Sequence, residues 1–283
     1  MATNVPTVSL NNGTSIPQLG FGVYQVPPAD TERAVSAALE IGYRHIDTAQ
    51  MYQNEAGVGR AIKASGIPRD EIFVTTKLNN GAHEPAAAKA AFAQSLRELD
   101  LDHVDLFLIH WPLPTRYGGD FVATWQALTE LAASGASKAV GVSNFQPDHL
   151  RRIVDETGVV PAVNQIEVHP YLTNEEARAA SHRLNVAVEA WSPIAQGAVL
   201  DDAVLVELAE KYGKTPAQVT LRWHVERGDI IFPKSVTPAR IEENFAIFDF
   251  ALTDDEVQRI SGLDKGEDGR TGPNPDTFDY VPA

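Results

Sequence analysis

Apolar residues along this chain fall into two alternating patterns. Short runs rich in β-branched and aromatic residues recur at 19–23, 43–48, 72–77, 104–110, 137–143, 162–168, 186–191 and 230–234, which makes eight candidate strands. Between them, stretches such as 31–40, 85–99, 121–133, 175–183 and 216–227 space their apolar residues three and four apart, as amphipathic helices do. Strand followed by helix followed by strand predicts parallel strands with helical crossovers. Eight such units fit a closed (β/α)8 TIM barrel of α/β class better than an open sheet. Ahead of the first unit, VSLNNGTSIPQL carries an Asn-Gly step between alternating residues, which predicts an N-terminal β-hairpin capping the barrel bottom. The closing KGEDGRTGPNPDTFDYVPA is rich in Gly, Pro and Asp and predicts an extended tail over the surface. The expectation is one domain over 1–283, with hairpin 1–18, barrel 19–263 and tail 264–283.

Composition narrows the function. The 283 residues are 43% apolar and 22% charged, an ordinary globular balance. A net charge of -15 argues against a nucleic-acid partner, although a local basic cluster can still hold a phosphorylated small molecule. Cysteine is absent, so disulfides, thiolate nucleophiles and cysteine-ligated metals are excluded. Residues 1–10 lack the basic and apolar regions of a secretory signal, and no run of about 18 apolar residues occurs. These features predict a cytoplasmic protein with no membrane association and no evident obligatory protein partner.

Several motifs begin and then fail. Gly57-Val58-Gly59 opens like a dinucleotide fingerprint, but Ile62 stands at the third glycine and no strand immediately precedes it, so a helix opening after Asn54-Glu55 is the expectation. Gly141-Val142-Ser143-Asn144-Phe145 resembles a nucleophile elbow except that Phe145 replaces the final glycine. The histidines at 45, 103, 110 and 169 have no chelating spacing, so no metal site is expected. Asn12-Gly13-Thr14 is a glycosylation sequon that reads better as a turn.

In a barrel of this kind the active site gathers at the C-terminal strand ends. There the sequence places Asp47 and Thr48 running into Tyr52, then Lys77, His110, Ser143 and Asn144, Gln165 to Glu167, and Lys234 with Ser235. The first four suit reduction of a carbonyl, in which hydride reaches carbon while a proton reaches oxygen. A phenol can supply the proton if a neighbouring ammonium stabilises the phenolate, and Lys77 is placed to do so for Tyr52. Asp47 would hold that buried ammonium in place, and His110 would align and polarise the carbonyl. After the last strand, Lys234, Ser235, Thr237 and Arg240 form a basic cluster where barrels often bind phosphate, which favours the 2′-phosphate of NADPH over the bare ribose of NADH.

The segments GYRHIDTAQMYQNE, TTKL, LFLIHWP, GVSNF, NQIEVHP and IIFPKSVTPARIEEN occur in the order found in the aldo-keto reductase superfamily, which the chain resembles over nearly its whole length. VPPADTERAV and TGVVPAVNQIE make it most similar to the bacterial branch containing 2,5-diketo-D-gluconate reductases. The resemblance implies a tetrad of Asp47, Tyr52, Lys77 and His110. It also implies that Ser143, Asn144 and Gln165 bind the nicotinamide carboxamide, that Trp191 stacks on the ring, and that Glu243 and Asn244 contact adenine. Gly22, Ser192, Ile194 and Val236 would complete the cofactor groove.

Tyr24, Gln50, Asn79, Trp111 and Gln196 are the expected substrate lining, with Asn80 and the tail beside them. Relatives often carry tryptophan where this chain has Asn79, and a hydroxyl residue where it has Val23. Small polar carbonyls, among them keto-sugar acids and dicarbonyls, are therefore the expected substrates. Two other classes remain open at this level: a barrel glycoside hydrolase using Asp47 and Glu167, and a cofactor-binding sensor similar to the potassium-channel β-subunits that keep this fold.

Overall fold

The computed structural model describes residues 5–282, so the first four residues assigned to the hairpin and the last of the tail lie outside the described residues. Two short antiparallel strands, β1 (Thr7–Ser9) and β2 (Ser15–Pro17), form the expected hairpin. Gly13 turns it with φ of 87°, a left-handed value that glycine adopts without steric cost.

Eight parallel strands follow in the order of the chain: β3 (Phe21–Gly22), β4 (His45–Asp47), β5 (Phe73–Leu78), β6 (Val104–Ile109), β7 (Ser137–Ser143), β8 (Val163–Glu167), β9 (Ala187–Trp191) and β10 (Ile230–Ile231). A parallel bridge from Leu19 to Ile231, with Gly20 N–H donating to the Ile231 carbonyl at 2.7 Å, brings the first and last strands together. The barrel is thus closed, as the alternation of runs predicts. All six residues of β5 and of β6 are buried, because such strands face side chains inside the barrel and helices outside it.

Some predicted strands are longer than their ladders. The run at 230–234 pairs with β9 only through Ile231, since Pro233 has no N–H to continue the ladder. The run at 43–48 loses its first residues because Tyr43 packs against Phe245 and gives its hydroxyl to the Ile241 carbonyl.

The outer ring includes α1 (Pro28–Ile41), α2 (Glu55–Ser65), α3 (Pro85–Leu99), α4 (Phe121–Ala133), α5 (Pro147–Thr157), α6 (Glu175–Arg183), α7 (Ala203–Tyr212) and α8 (Pro216–Glu226), with α9 (Pro238–Phe245) and α10 (Asp254–Ser261) after the last strand. Proline at the first position starts α1, α3, α5, α8 and α9, where its missing N–H costs nothing. Helices α5, α7 and α10 have no counterpart among the stretches singled out from sequence. In α5 and α10 few apolar positions mark a buried face: Leu150 and Ile153 in one, Ile260 in the other. The failed fingerprint at Gly57 and Gly59 opens α2. There a Cβ would meet the side chain of Thr31 at 2.8 Å and the Leu99 carbonyl at 2.1 Å, so these glycines serve close packing.

The barrel has two unlike ends. At the N-terminal end Leu10 and Ile16 of the hairpin join Phe73, Leu106, Ala162 and Ile230 in an apolar plug. Asn11 and Asn12 fasten the hairpin to the carbonyls of Pro161 and Lys138. At the opposite end the strands finish in polar side chains, and the tail crosses over them.

Candidate active site

Asp47 closes β4 and Lys77 lies near the end of β5, two strands joined with Asp47 opposite Thr75, so both side chains point into one bore. Lys77 Nζ donates to Asp47 Oδ1 at 2.6 Å, to the Thr48 carbonyl at 3.0 Å and to Tyr52 Oη at 3.4 Å. Tyr52 stands on a single 3₁₀ turn, Gln50–Tyr52. Asn54 anchors that turn by donating to the carbonyls of Val23 and Val26 and accepting from the Thr48 hydroxyl. His110, just past β6, sets its ring edge-on to Tyr52 with centroids 5.7 Å apart. Neither of its ring nitrogens has a hydrogen-bond partner among the described residues, and Nδ1 is buried. The four residues named from the strand ends therefore converge.

Electrostatics follow from burial with few charges to share. Burial works against the Lys77 ammonium, but Asp47 and Tyr52 overturn it and hold the group above its ordinary range. Burial pushes Asp47 up while Lys77 and Gln165 draw it back. His110 is held well below the usual imidazole value by burial and by Lys77, so its ring is neutral. The Tyr52 phenol departs from the expected acidification. Burial pushes it up to about 12, with Lys77 pulling in the other direction without prevailing.

Around this centre the other residues divide by what already occupies them. Asn144, with φ of 64°, donates to the His110 carbonyl and to Ser143 Oγ and accepts from Trp191 Nε1 at 2.8 Å, so it ties histidine and tryptophan together. Ser143 donates to the Gln165 carbonyl. Gln165 Nε2 donates to Asp47 Oδ2 at 2.9 Å and to Glu189 Oε2 at 2.7 Å. Gly22 is explained by packing, since a Cβ there would come within 2.6 Å of the Phe232 carbonyl. Trp191, Ser192 and Ile194 are half-buried along the rim, with Ser192 at a positive φ.

Beyond β10, Lys234 and Arg240 are exposed, and their side chains make no hydrogen bond or ion pair among the described residues. Ser235 accepts from Thr237 N–H at the start of α9, Val236 is exposed, and the amide of Asn244 is unengaged. Glu243 differs. Its carboxylate accepts from the Thr215 hydroxyl at 2.7 Å and so braces the start of α8.

Of the expected substrate lining, Tyr24 is exposed with its ring 5.1 Å from that of Tyr52, and Gln196 is exposed. Gln50 is turned to scaffold use, donating to the Ala91 carbonyl and accepting from Asn79 N–H. Asn79 in turn accepts from Gly81 N–H. Trp111 is buried under Phe278 of the tail, with centroids 4.2 Å apart. Phe278 is a wall that sequence reasoning passed over, because a lone aromatic in a Gly- and Pro-rich segment has no periodicity to place it.

The tail is strapped down at several points. Thr271 N–H and Oγ1 both donate to Glu167 Oε1 at 2.6 Å, and Gly272 N–H reaches Oε2 at 3.1 Å. Arg270 lies 3.6 Å from the same carboxylate, and Asn80 donates to the Tyr280 carbonyl. Burial would raise Glu167, but the bonds from His169 and Thr271 hold it below the usual carboxylate range. Gly272 lies so close to Trp191 that a Cβ would fall 2.4 Å from the indole edge.

The sequence pattern of the aldo/keto reductase family matches residues 13–265. The chain belongs to the aldo/keto reductase family. An aldo-keto reductase of Mycolicibacterium smegmatis is 51% identical over 98% of this chain and 99% of its own. Methylglyoxal reductase DkgA of Yersinia pestis is 49% identical over 98% of each. Gox0644, solved as a point mutant in complex with NADPH, superposes with a TM-score of 0.93 at 43% identity, over 98% of this chain and all of that one. Membership accounts for the barrel, and no described helix is long and apolar enough to cross a membrane.

Proposed function

We propose that this aldo/keto reductase reduces small polar aldehydes and ketones to alcohols with NADPH, with Tyr52 as the proton donor. The observation that carries the reading is the chain Asp47, Lys77, Tyr52, linked at 2.6 and 3.4 Å and ending beside a neutral His110 whose ring nitrogens have no partner among the described residues.

Bound NADPH supplies the hydride. Tyr52 holds its proton firmly in the dry site, so the proton leaves only when an oxygen that is gaining charge lies against it. Lys77 then faces the phenolate left behind and stabilises it, while Asp47 keeps Lys77 charged and in place. His110, neutral, donates a ring N–H to the carbonyl oxygen and fixes its direction.

The residues present fit the cofactor. Trp191 offers an indole face at the rim, the free Gln165 Oε1 can accept from a carboxamide, and Ser143 and Asn144 border the same place. Lys234 and Arg240 are unpaired cations at the start of a helix, suited to a 2′-phosphate, with Ser235 and Thr237 beside them. Asn244 is free to meet adenine; Glu243, occupied by Thr215, would have to serve both. Tyr24, Trp111 and Phe278 supply apolar walls, and Gln196 a polar edge. The name of the Yersinia relative, methylglyoxal reductase, supports small dicarbonyls as one substrate class. A reaction that consumes NADPH belongs where that cofactor is kept, and on that ground we place the protein in the cytoplasm.

The glycoside hydrolase alternative loses its second carboxylate, because both Glu167 oxygens are taken by the tail. The test is loss of NADPH absorbance with methylglyoxal, a keto-gluconate and an aromatic aldehyde. Turnover of at least one is expected. Tight NADPH binding without turnover across the panel would replace this reading with the cofactor sensor.

A further inference from the structure

Beneath the tetrad lies a buried carboxyl that the reaction as described does not use. Glu189 projects from the middle of β9 into the bore and is fully buried. Its Oε2 accepts from Gln165 Nε2 at 2.7 Å, whereas Oε1 has no partner and lies 3.9 Å from His45 Nε2. Gln165 Nε2 also reaches Asp47 Oδ2 at 2.9 Å, on a strand that does not neighbour its own. One amide group thus bridges two carboxyls on strands that do not neighbour one another.

We propose that Glu189 is a positioning residue for cofactor binding: with Asp47 it engages both amide hydrogens of Gln165, leaving Gln165 Oε1 as the acceptor presented to the carboxamide NH2 of the nicotinamide. The inference rests on the NADPH reading above. An amide NH2 has two hydrogens, and two carboxyl oxygens within hydrogen-bond distance of the same nitrogen take both. Asp47 in contact with Lys77 is ionised and can only accept, so the atom facing it must be the nitrogen. The oxygen is therefore forced outward. Without Glu189 one hydrogen loses its acceptor, the amide is held by its single bond to Asp47, and it can tilt about that bond so that Oε1 no longer points at the carboxamide NH2.

Charge balance supports the arrangement. The groups facing Glu189 are Asp47 and His45 from β4 and Lys77 from β5, while β10 presents only Ile230 and Ile231. His45 is neutral, because burial lowers its imidazole to about 3. One ammonium therefore faces two carboxyls. The one it touches, Asp47, takes the charge. Glu189 keeps its proton at neutral pH, since burial and the Asp47 charge push it up to about 8. A neutral acid still accepts through one oxygen, so Glu189→Gln can replace it in shape, charge and acceptor, whereas Glu189→Met removes the acceptor and Glu189→Asp withdraws it by one methylene.

The test compares binding of NADP+ with binding of its 3-acetylpyridine analogue, which lacks the carboxamide NH2, by quenching of tryptophan fluorescence. The wild type is expected to bind NADP+ about tenfold tighter than the analogue, the worth of one well-placed hydrogen bond. Glu189→Gln keeps that ratio. Glu189→Met and Glu189→Asp lose it, binding both cofactors within about twofold of one another, by the same reckoning. If Met fails to fold, as judged by circular dichroism, Asp decides. Retention of the tenfold ratio in a folded Met or Asp variant, or its loss in Gln, overturns the proposal. A wild type that binds neither cofactor overturns the NADPH reading instead, which keeps the two failures distinct.

Discussion

Two buried carboxylates sit at opposite ends of this barrel and show what separates a structural ion pair from the one in the proposed active site. Asp229, just before β10, accepts from Arg178 Nε and Nη2 at 3.1 and 2.8 Å and from His224 Nδ1 at 3.0 Å. Asp47, closing β4, accepts from Lys77 and Gln165 at 2.6 and 2.9 Å. Both are buried and both have their oxygens occupied. The difference is the ratio of cations to acids. At the floor Arg178, Arg227 and His224 surround one buried carboxylate, and although burial opposes it, their charges and bonds bring Asp229 down to about 2. At the mouth a single ammonium serves Asp47, Glu189 and Tyr52, so burial prevails and all three hold their protons more tightly than usual. A surplus of partners draws the acid they surround below its usual range; a shortage leaves the acids that share one ammonium above theirs.

Mutations at the two ends should therefore separate activity from stability. Tyr52→Phe is expected to lower kcat for carbonyl reduction by about a thousandfold, within the range for a lost general acid, with NADPH affinity within about twofold of wild type. Unchanged steady-state turnover would dissolve the contrast by removing the working proton from the mouth. Asp229→Ala removes the buried acceptor of Arg178 Nε and Nη2 and of His224 Nδ1, leaving Arg178 only Glu175 as a carboxylate partner, and should cost about 3 kcal/mol in urea unfolding, with kcat unaltered.

Acid titration sharpens the same point. The folded Asp229 value of about 2 lies below the ordinary 3.8, so its stabilisation is complete above the latter and is lost as pH falls through the former. Wild-type stability should drop by about 2 kcal/mol from this group over that interval. The alanine variant should lack that component; an identical acid profile would show that Asp229 is not the titrating group. The smallest expected effect lies outside both networks. Arg240→Ala should weaken NADPH by about tenfold while leaving NADH unchanged, measured by equilibrium binding. Equal weakening of both cofactors would remove the 2′-phosphate from Arg240.

The end of the barrel that carries the proposed site was easier to read than its depth. Asp47, Lys77 and His110 stand at strand ends, where local periodicity already locates them, and Tyr52 follows Asp47 by one short turn. Asn54, which holds that turn, gave no signal because it looked like an ordinary helix start. Glu189 lies two residues before Trp191 inside an apolar run, and nothing in the run says that it faces Asp47 across the bore. Phe278 is distant in sequence from Trp111, against which it packs.

The sequence by itself determined the barrel, the hairpin and the grouping of the tetrad, because strand and helix periods and the polar residue ending each run are local properties. The direction of the Tyr52 shift was a different matter. Whether Lys77 or burial governs a phenol depends on how many acids share one ammonium and how much water remains, and those are counts of neighbours in space. Only the closed barrel brought Gln165 and Glu189 to Asp47, and only the folded tail occupied Glu167, since each contact joins segments whose separation along the chain carries no pattern.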